Sequence, residues 1–335
     1  MIGTITLSHG SGGLQSNKLI NEVFFKYFGN DILNQMNDAA QVDIDFARLA
    51  FTTDSFVVNP IFFNGGNIGN LAVCGTVNDL AVSGAKPLYI TTAFIIEEGF
   101  SIEKLEKIVK SMAEEASGAG VKIVAGDTKV VEKGSVDGIF INTSGIGRIY
   151  DNVNINCANA QVGDVIIING TLGDHGMTIM CEREKFIFEG NLKSDCACLN
   201  SLVDTMIEAY NGIHVIRDAT RGGVAAVLNE ISEFSNVTIA LEENKLPLKE
   251  EVKGVTEMLG LDPLYIANEG KLCALVPGAY AEKVLNAMRK HPLGIDAVII
   301  GKVTQELGQK VYLNTVVGGK RLVDMPSGIQ LPRIC

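Results

Sequence analysis

Ser101-Ile-Glu-Lys-Leu-Glu-Lys-Ile-Val-Lys-Ser-Met-Ala-Glu-Glu-Ala-Ser-Gly118, followed by Val121-Lys-Ile-Val-Ala125 and Gly126-Asp-Thr-Lys129, decides the fold class. Ile102, Leu105, Ile108, Val109, Met112 and Ala116 recur at the spacing of one helix face, Ser101 is a fitting cap, and Gly118 stands near the helix end. The apolar run after it reads as a strand whose C-terminal end carries Asp127 and Lys129, the end at which ligands gather in α/β sheets. Residues 49–53, 88–96 and 139–146 read as further strands of the first half, and Ile68, Leu71, Val77 and Leu80 mark the buried face of another helix. In the second half 165–168, 272–276, 298–300 and 311–316 read as strands, and 199–210, 224–234 and 280–288 as helices. A polar break at 151–160 separates the halves, so the class is α/β or α+β in two domains, 1–155 and 156–325, with a tail at 326–335.

A chain of 335 residues is long enough to bury real cores. Residues 55–78 hold no charge, but Asn59, Pro60, Asn64, Gly65, Gly66 and Asn67 interrupt them, so no membrane span is expected. The N-terminal residues lack a basic region followed by an apolar core, so no signal peptide is expected either. Seven cysteines without framework spacing point to reduced thiols in the cytoplasm. A net charge of −11 without a Lys/Arg cluster argues against a nucleic-acid surface. A nucleotide remains compatible, because an acidic protein can hold phosphates through Mg²⁺ on carboxylates and through backbone N–H groups of glycine turns. The 36 glycines are about one and a half times the usual share.

Several short motifs carry the chemistry. Ser8-His9-Gly10-Ser11-Gly12-Gly13 reads either as a phosphate-covering loop or as a plain flexible terminus. Asp38, Asp54, Asp79 and Asp127 are candidate oxygen ligands for Mg²⁺, although each alone also suits a cap or turn. Asn78 and Asp79 interrupt an apolar helix sequence and need partners there. Asp218-Ala219-Thr220-Arg221-Gly222-Gly223 precedes a helix, as an anion site or as an ordinary helix start. Ala267-Asn268-Glu269-Gly270-Lys271 sets a carboxylate before a strand. The tail Pro326-Ser-Gly-Ile-Gln-Leu-Pro332-Arg333-Ile334-Cys335 ends in a thiol on an arm of roughly 30 Å, a covalent carrier or a frayed end. Arg333 can hold that tail through a carboxylate.

Taken together, His9-Gly-Ser-Gly-Gly13, Phe51-Thr-Thr-Asp-Ser-Phe-Val-Val58, Gly75-Thr-Val-Asn-Asp-Leu-Ala81, Gly126-Asp-Thr-Lys-Val-Val131, Asn268-Glu-Gly-Lys271 and Pro332-Arg-Ile-Cys335 resemble the HypE family. These are the hydrogenase maturation factors that make the cyanide ligands of NiFe active sites. The resemblance covers nearly the whole chain, and it implies the aminoimidazole ribonucleotide synthetase-like (PurM-like) fold, with an ATP-binding and dimerising N-terminal domain, a second α/β domain and a flexible tail. It implies a carbamoyl dehydratase that receives a carbamoyl group on Cys335 from HypF and dehydrates it with ATP to a thiocyanate. Delivery to a HypC–HypD complex and a homodimer are implied with it. Carried over residue by residue, Cys335 is the carrier, Glu269 the base and Lys129 the group steering charge, with the last two roles exchangeable. Asp38, Asp54, Asp79 and Asp127 are metal ligands, and Gly10, Gly12, Gly13, Asn78, Thr128 and Asp218 join them in nucleotide binding. Ala219 stands where the family pattern has proline and Asn67 where it has aspartate. Two alternatives stay open: an ATP-dependent synthetase acting on a free small molecule, and a metal-handling scaffold using Cys196, Cys198 and Cys335.

Overall fold

The computed structural model describes residues 13, 14, 17, 21, 40–44, 47–186, 190–305, 308–328, 331 and 333–335. Gly10, Gly12 and Asp38 lie outside the described residues.

In the first half, β1 (Ala40–Ile44) and β2 (Ala47–Phe56) are followed by the short pair β3 (Phe62–Phe63) and β4 (Gly66–Asn67) and helix α1 (Ile68–Val82). Then come β5 (Ala85–Glu97), helix α2 (Ile102–Gly118), β6 (Lys122–Val131) and β7 (Ile139–Ile149). The sheet order is β1-β2-β7-β5-β6, and only β5 and β6 run parallel, because α2 carries the crossover between them. Asn67, the departure from the family pattern, caps α1: its side chain accepts from Gly69 N–H while the Asn70 side chain accepts from Asn67 N–H. Burial runs nearly all round α1 and takes in Thr76 and Asn78, so the apolar face read from the sequence understates it. The helix lies against the sheet on one side, against α2 on another, and reaches the second half of the chain.

The second half contains β8 (Asp164–Ile168), α3 (Asp174–Glu184), α4 (Asn200–Ala209), β9 (Val215–Asp218), α5 (Gly223–Ser235), β10 (Thr238–Glu242) and α6 (Glu250–Leu259). It continues with β11 (Leu272–Pro277), α7 (Ala281–Met288), β12 (Val298–Thr304), β13 (Val311–Asn314) and β14 (Lys320–Leu322). Its sheet order is β14-β13-β10-β12-β8-β11-β9. Ile166 and Ile168 face a core completed by α5, while Ile167 faces another completed by α4 and α7. Cover on both faces explains why this strand reads as an unbroken apolar run rather than as an alternation. Among the described residues the first sheet is covered by α1 on one face only, and β6 is exposed along almost its whole length.

One expectation is corrected here. Gly126-Asp-Thr-Lys129 does not follow the end of a strand; it lies inside β6, whose parallel ladder with β5 continues from Lys122 to Val131.

Close approach of α1 to the sheet depends on Gly75, where a Cβ would sit 2.8 Å from the buried Phe56 ring. Gly75→Ala is expected to cost about 1–3 kcal/mol through overpacking, read as a lower urea midpoint at unchanged slope.

Candidate active site

The C-terminal residues close over the junction between the halves. Ile334 is buried in the core that α1 shares with the first sheet. The backbone of 333–335 runs antiparallel to the chain leaving β2, with Val57 N–H donating to Cys335 O at 3.2 Å and Asn59 N–H to Arg333 O at 3.2 Å. Arg333 Nε donates to Val57 O at 2.9 Å, and its guanidinium pairs with Asp137, the carboxylate anchor expected for the tail. Arg183 on α3 donates to the carbonyls of Asn59 and Arg333 at 2.7 and 2.8 Å.

His175, also on α3 and fully buried, has Nε2 2.8 Å from Ile334 O and Nδ1 2.8 Å from Ser194 Oγ. A carbonyl only accepts, so Nε2 carries the proton and Nδ1 accepts from the serine hydroxyl. Burial pushes the His175 pKa down, which favours this neutral ring.

Four ionisable side chains act on Cys335. Asp54 comes from β2, Asp218 from the end of β9, Arg221 from the turn before α5, and Glu269 from the loop before β11. Burial pushes the Cys335 thiol far above its ordinary value, Arg221 opposes, and Glu269, Asp54 and Asp218 add to the rise. Glu269 is 3 % exposed, and its Oε1 has no hydrogen-bond partner among the described residues. Burial, followed by the charges of Asp218, Asp195 and Asp54, pushes its carboxyl well above 4.5. Burial likewise takes Asp218 up to about 6 and raises Asp54, which Arg221 and the Ser55 N–H pull back. Arg221 is held protonated by Cys335 first, then, against burial, by Asp54, Glu269 and Asp79. An arginine ringed by acids whose protons are held tightly is a place to receive further charge.

The backbone carrying Glu269 is fixed from three sides. Its N–H donates to Asp195 Oδ1 at 3.1 Å, and Asp195 pairs with Lys271 at 2.8 Å, both side chains being buried. A Cβ on Gly270 would collide with the carbonyl of Asp195, so only glycine lets the two segments meet. Asn78 Nδ2 donates to Ala197 O at 3.0 Å and Glu269 O at 3.3 Å, while its Oδ1 accepts from Leu199 N–H at 2.7 Å. Both ends of the Asn78 amide are thus engaged with the chain itself, and the residue acts through the position of Glu269. Ala219 N–H donates to Lys271 O at 2.9 Å, a bond that the proline of the family pattern cannot make.

The donors fit a magnesium nucleotide. Asp54 and Asp79 offer hard oxygen ligands within the field of Arg221, and Asp79 Oδ2 is oriented by the Thr52 hydroxyl at 2.6 Å. Gly222 and Gly223, at φ +78° and +62°, open α5 beside Arg221. Pro326, at the root of the tail, lies against Gly222, and Leu14 N–H, next to Gly13, donates to Pro326 O at 2.6 Å.

Asp127 and Lys129 are not part of this cluster within one chain. Asp54, Thr143, Thr92 and Gly126 form one row across the sheet, from β2 through β7 and β5 to β6. Asp127 is therefore three strands from Asp54, roughly 14 Å, and alternation turns it and Lys129 to the face away from α1. There they pair with one another at 2.9 Å, exposed, while Thr128 stands opposite Phe94. Arg221, His175, Asp195 and Arg183 were not singled out from the sequence. For Arg221 the signal was present in the Thr-Arg-Gly-Gly turn.

Residues 36–149 match the AIR synthase related protein N-terminal domain, and 161–314 its C-terminal domain. The carbamoyl dehydratase HypE of Bradyrhizobium diazoefficiens is 50% identical over 334 residues, covering 99% of this chain and 96% of that one. A chain of a HypE–HypF complex is 55% identical with a TM-score of 0.88, covering 92% of this chain and 99% of that one. A HypE solved in complex with ATP is 45% identical with a TM-score of 0.84, covering 99% and 100% of the two chains. With identity at this level over the full length, and a terminal cysteine seated among the acids and arginine described above, the chain belongs to the HypE family of carbamoyl dehydratases.

Proposed function

We propose that the docked Cys335 carries an S-carboxamide that this cluster dehydrates to a thiocyanate, the source of cyanide ligands for a NiFe hydrogenase. The observation that carries the reading is the terminal thiol held beside a buried, partly unpaired carboxyl group, Glu269. Dehydrating a carboxamide requires that its oxygen become a good leaving group and that both protons leave the nitrogen. ATP supplies the phosphoryl group that makes the oxygen leave as phosphate. Asp54 and Asp79 would hold its Mg²⁺, and Arg221 offsets negative charge developing near the sulfur. Glu269 accepts one proton from the carboxamide nitrogen, and the departing phosphate carries away the other. Lys129 has no part in this scheme within one chain, since it lies on the far face of the first sheet.

His175, Arg183 and Arg333 lock the tail while water is excluded. In the docked state the buried thiol stays protonated and is a poor nucleophile, so carbamoylation by HypF takes place with the tail released. The solved HypE–HypF complex supports HypF as the donor. Delivery to HypC–HypD and a cytoplasmic location complete the scheme. A homodimer covers the open face of the first sheet, where Phe51, Tyr89 and Ile95 are 38%, 47% and 42% exposed and Ile146 bridges the first two in register. The domains run 1–155 and 156–325, followed by the tail at 326–335.

Mass spectrometry of the C-terminal peptide, after incubation with a carbamoylating HypF system, is expected to show a carbamoyl adduct on Cys335 that loses one water only when MgATP is present. An unchanged peptide while ATP is consumed with a small molecule would instead establish a synthetase. Glu269→Gln is expected to accept the carbamoyl group but to dehydrate it about 10²- to 10⁴-fold more slowly. Because a base works deprotonated and burial raises the Glu269 pKa above 4.5, the wild-type single-turnover rate should climb with pH through that raised value. Glu269→Gln should lose that limb of the profile, and a normal rate in this variant would remove Glu269 from the role.

A further inference from the structure

Helix α1 presents Asn70, Cys74 and Asn78 one turn apart on one face, and these three residues build a second site behind the first. Cys74 Sγ lies 3.5 Å from Cys198 Sγ and 3.8 Å from Glu115 Oε2, and Cys198 Sγ lies 3.9 Å from the same oxygen. Around a tetrahedral zinc ion, bond lengths of about 2.3 Å to sulfur and about 2.0 Å to oxygen give edges of about 3.8 Å between sulfurs and about 3.5 Å between sulfur and oxygen. The three edges in the chain match these to within a few tenths of an ångström. We propose that Cys74, Cys198 and Glu115 form a binding site for a thiophilic divalent cation of the Zn²⁺ type, with its fourth position open to water.

The surroundings are those of a built site. Asn70 Nδ2 donates to Glu115 Oε1 at 3.0 Å, which turns the other carboxylate oxygen towards the thiols. Asn78 binds the backbone on both sides of Cys198, at Ala197 O and Leu199 N–H. Cys196, two residues before Cys198, adds a further half-buried thiol on the same segment. Cys74 is fully buried while Glu115, Cys196 and Cys198 are half-buried, so an ion has a way in from one side. Binding replaces the protons of two thiols, which pass to solvent, and leaves the carboxylate as the third ligand. Such an ion joins the first half, through α1 and α2, to the segment of the second half that runs beside Glu269. Its role is to clamp the two halves of the catalytic site together.

The test uses the full chain, reduced, treated with chelator and desalted. Zn²⁺ titrated against a chromophoric indicator should bind at one equivalent per chain, and Co²⁺ in its place should give a thiolate-to-cobalt charge-transfer band. Cys198→Ser should abolish that band while unfolding as cooperatively as the wild type, and Asn70→Ala should weaken binding about 10- to 100-fold. Zn²⁺ should raise the thermal midpoint of the wild type and not of Cys198→Ser. Co²⁺ bound without a charge-transfer band, or Zn²⁺ affinity unchanged in both Cys198→Ser and Glu115→Gln, would assign the ion to Asp54 and Asp79 and overturn the proposal. A free-thiol count two below seven in unreduced protein, with no metal taken up after reduction, would overturn it as well.

Discussion

A carboxyl group at 3 % exposure with one oxygen unpaired is the constraint around which the junction of the two halves is organised. Leaving such an atom unsatisfied costs about 1–3 kcal/mol, so Glu269 stays where it is only because its backbone has no freedom to carry it out to water. Asp195, Asn78 and the glycine that lets the Asp195 carbonyl approach remove that freedom. Asp195 is itself kept ionised, despite its burial, chiefly by Lys271. The two buried acids are therefore pushed in opposite directions within one neighbourhood. Asp195, paired with a cation, holds the backbone as an anion; Glu269, facing Asp218, Asp54 and Asp195, favours its proton.

The tail obeys a related trade-off. Its docking rests on backbone hydrogen bonds to the chain after β2, on the neutral His175, and on Arg183 and Arg333. Those contacts bring the thiol into a field that suppresses its thiolate, so the geometry that suits chemistry on a group already attached to sulfur opposes attack by the sulfur itself. A carrier of this kind separates loading from conversion by position. Arg333, at φ +49°, adopts a left-handed backbone that a tail without anchors on both sides has no reason to keep.

Much of the fold was legible because its elements are periodic. The helix after Ser101, four of the five strands of the first sheet and four of the seven of the second follow from spacing, and the terminal Cys335 with the glycine–acid motifs pointed to the family. What escaped has physical reasons. Helix α3 buries Asp174, His175 and Thr178 beside Met177 and Ile179, so polar residues occupy positions where an apolar period was sought. Strand β9 is only four residues, Val-Ile-Arg-Asp, too short for a pattern. Asp127 and Lys129 were read at a strand end because Gly126 resembles a turn, yet the ladder passes straight through it. Asp195 lay in a stretch whose cysteines attracted the attention, and only the folded chain puts it under Glu269.

Cys74 shows how position alters the meaning of a residue. In the sequence it is one apolar-flanked thiol, and a small buried residue is the sound reading of it, as it is for Cys157, Cys181 and Cys273. In the fold it sits one helical turn before Asn78, so the residue that positions the Glu269 backbone and the residue that meets Cys198 share a rigid rod. Displacement of α1 against the segment 194–199 is therefore felt at both sites together. Coupling between them needs no long chain of contacts, because one helix face belongs to each.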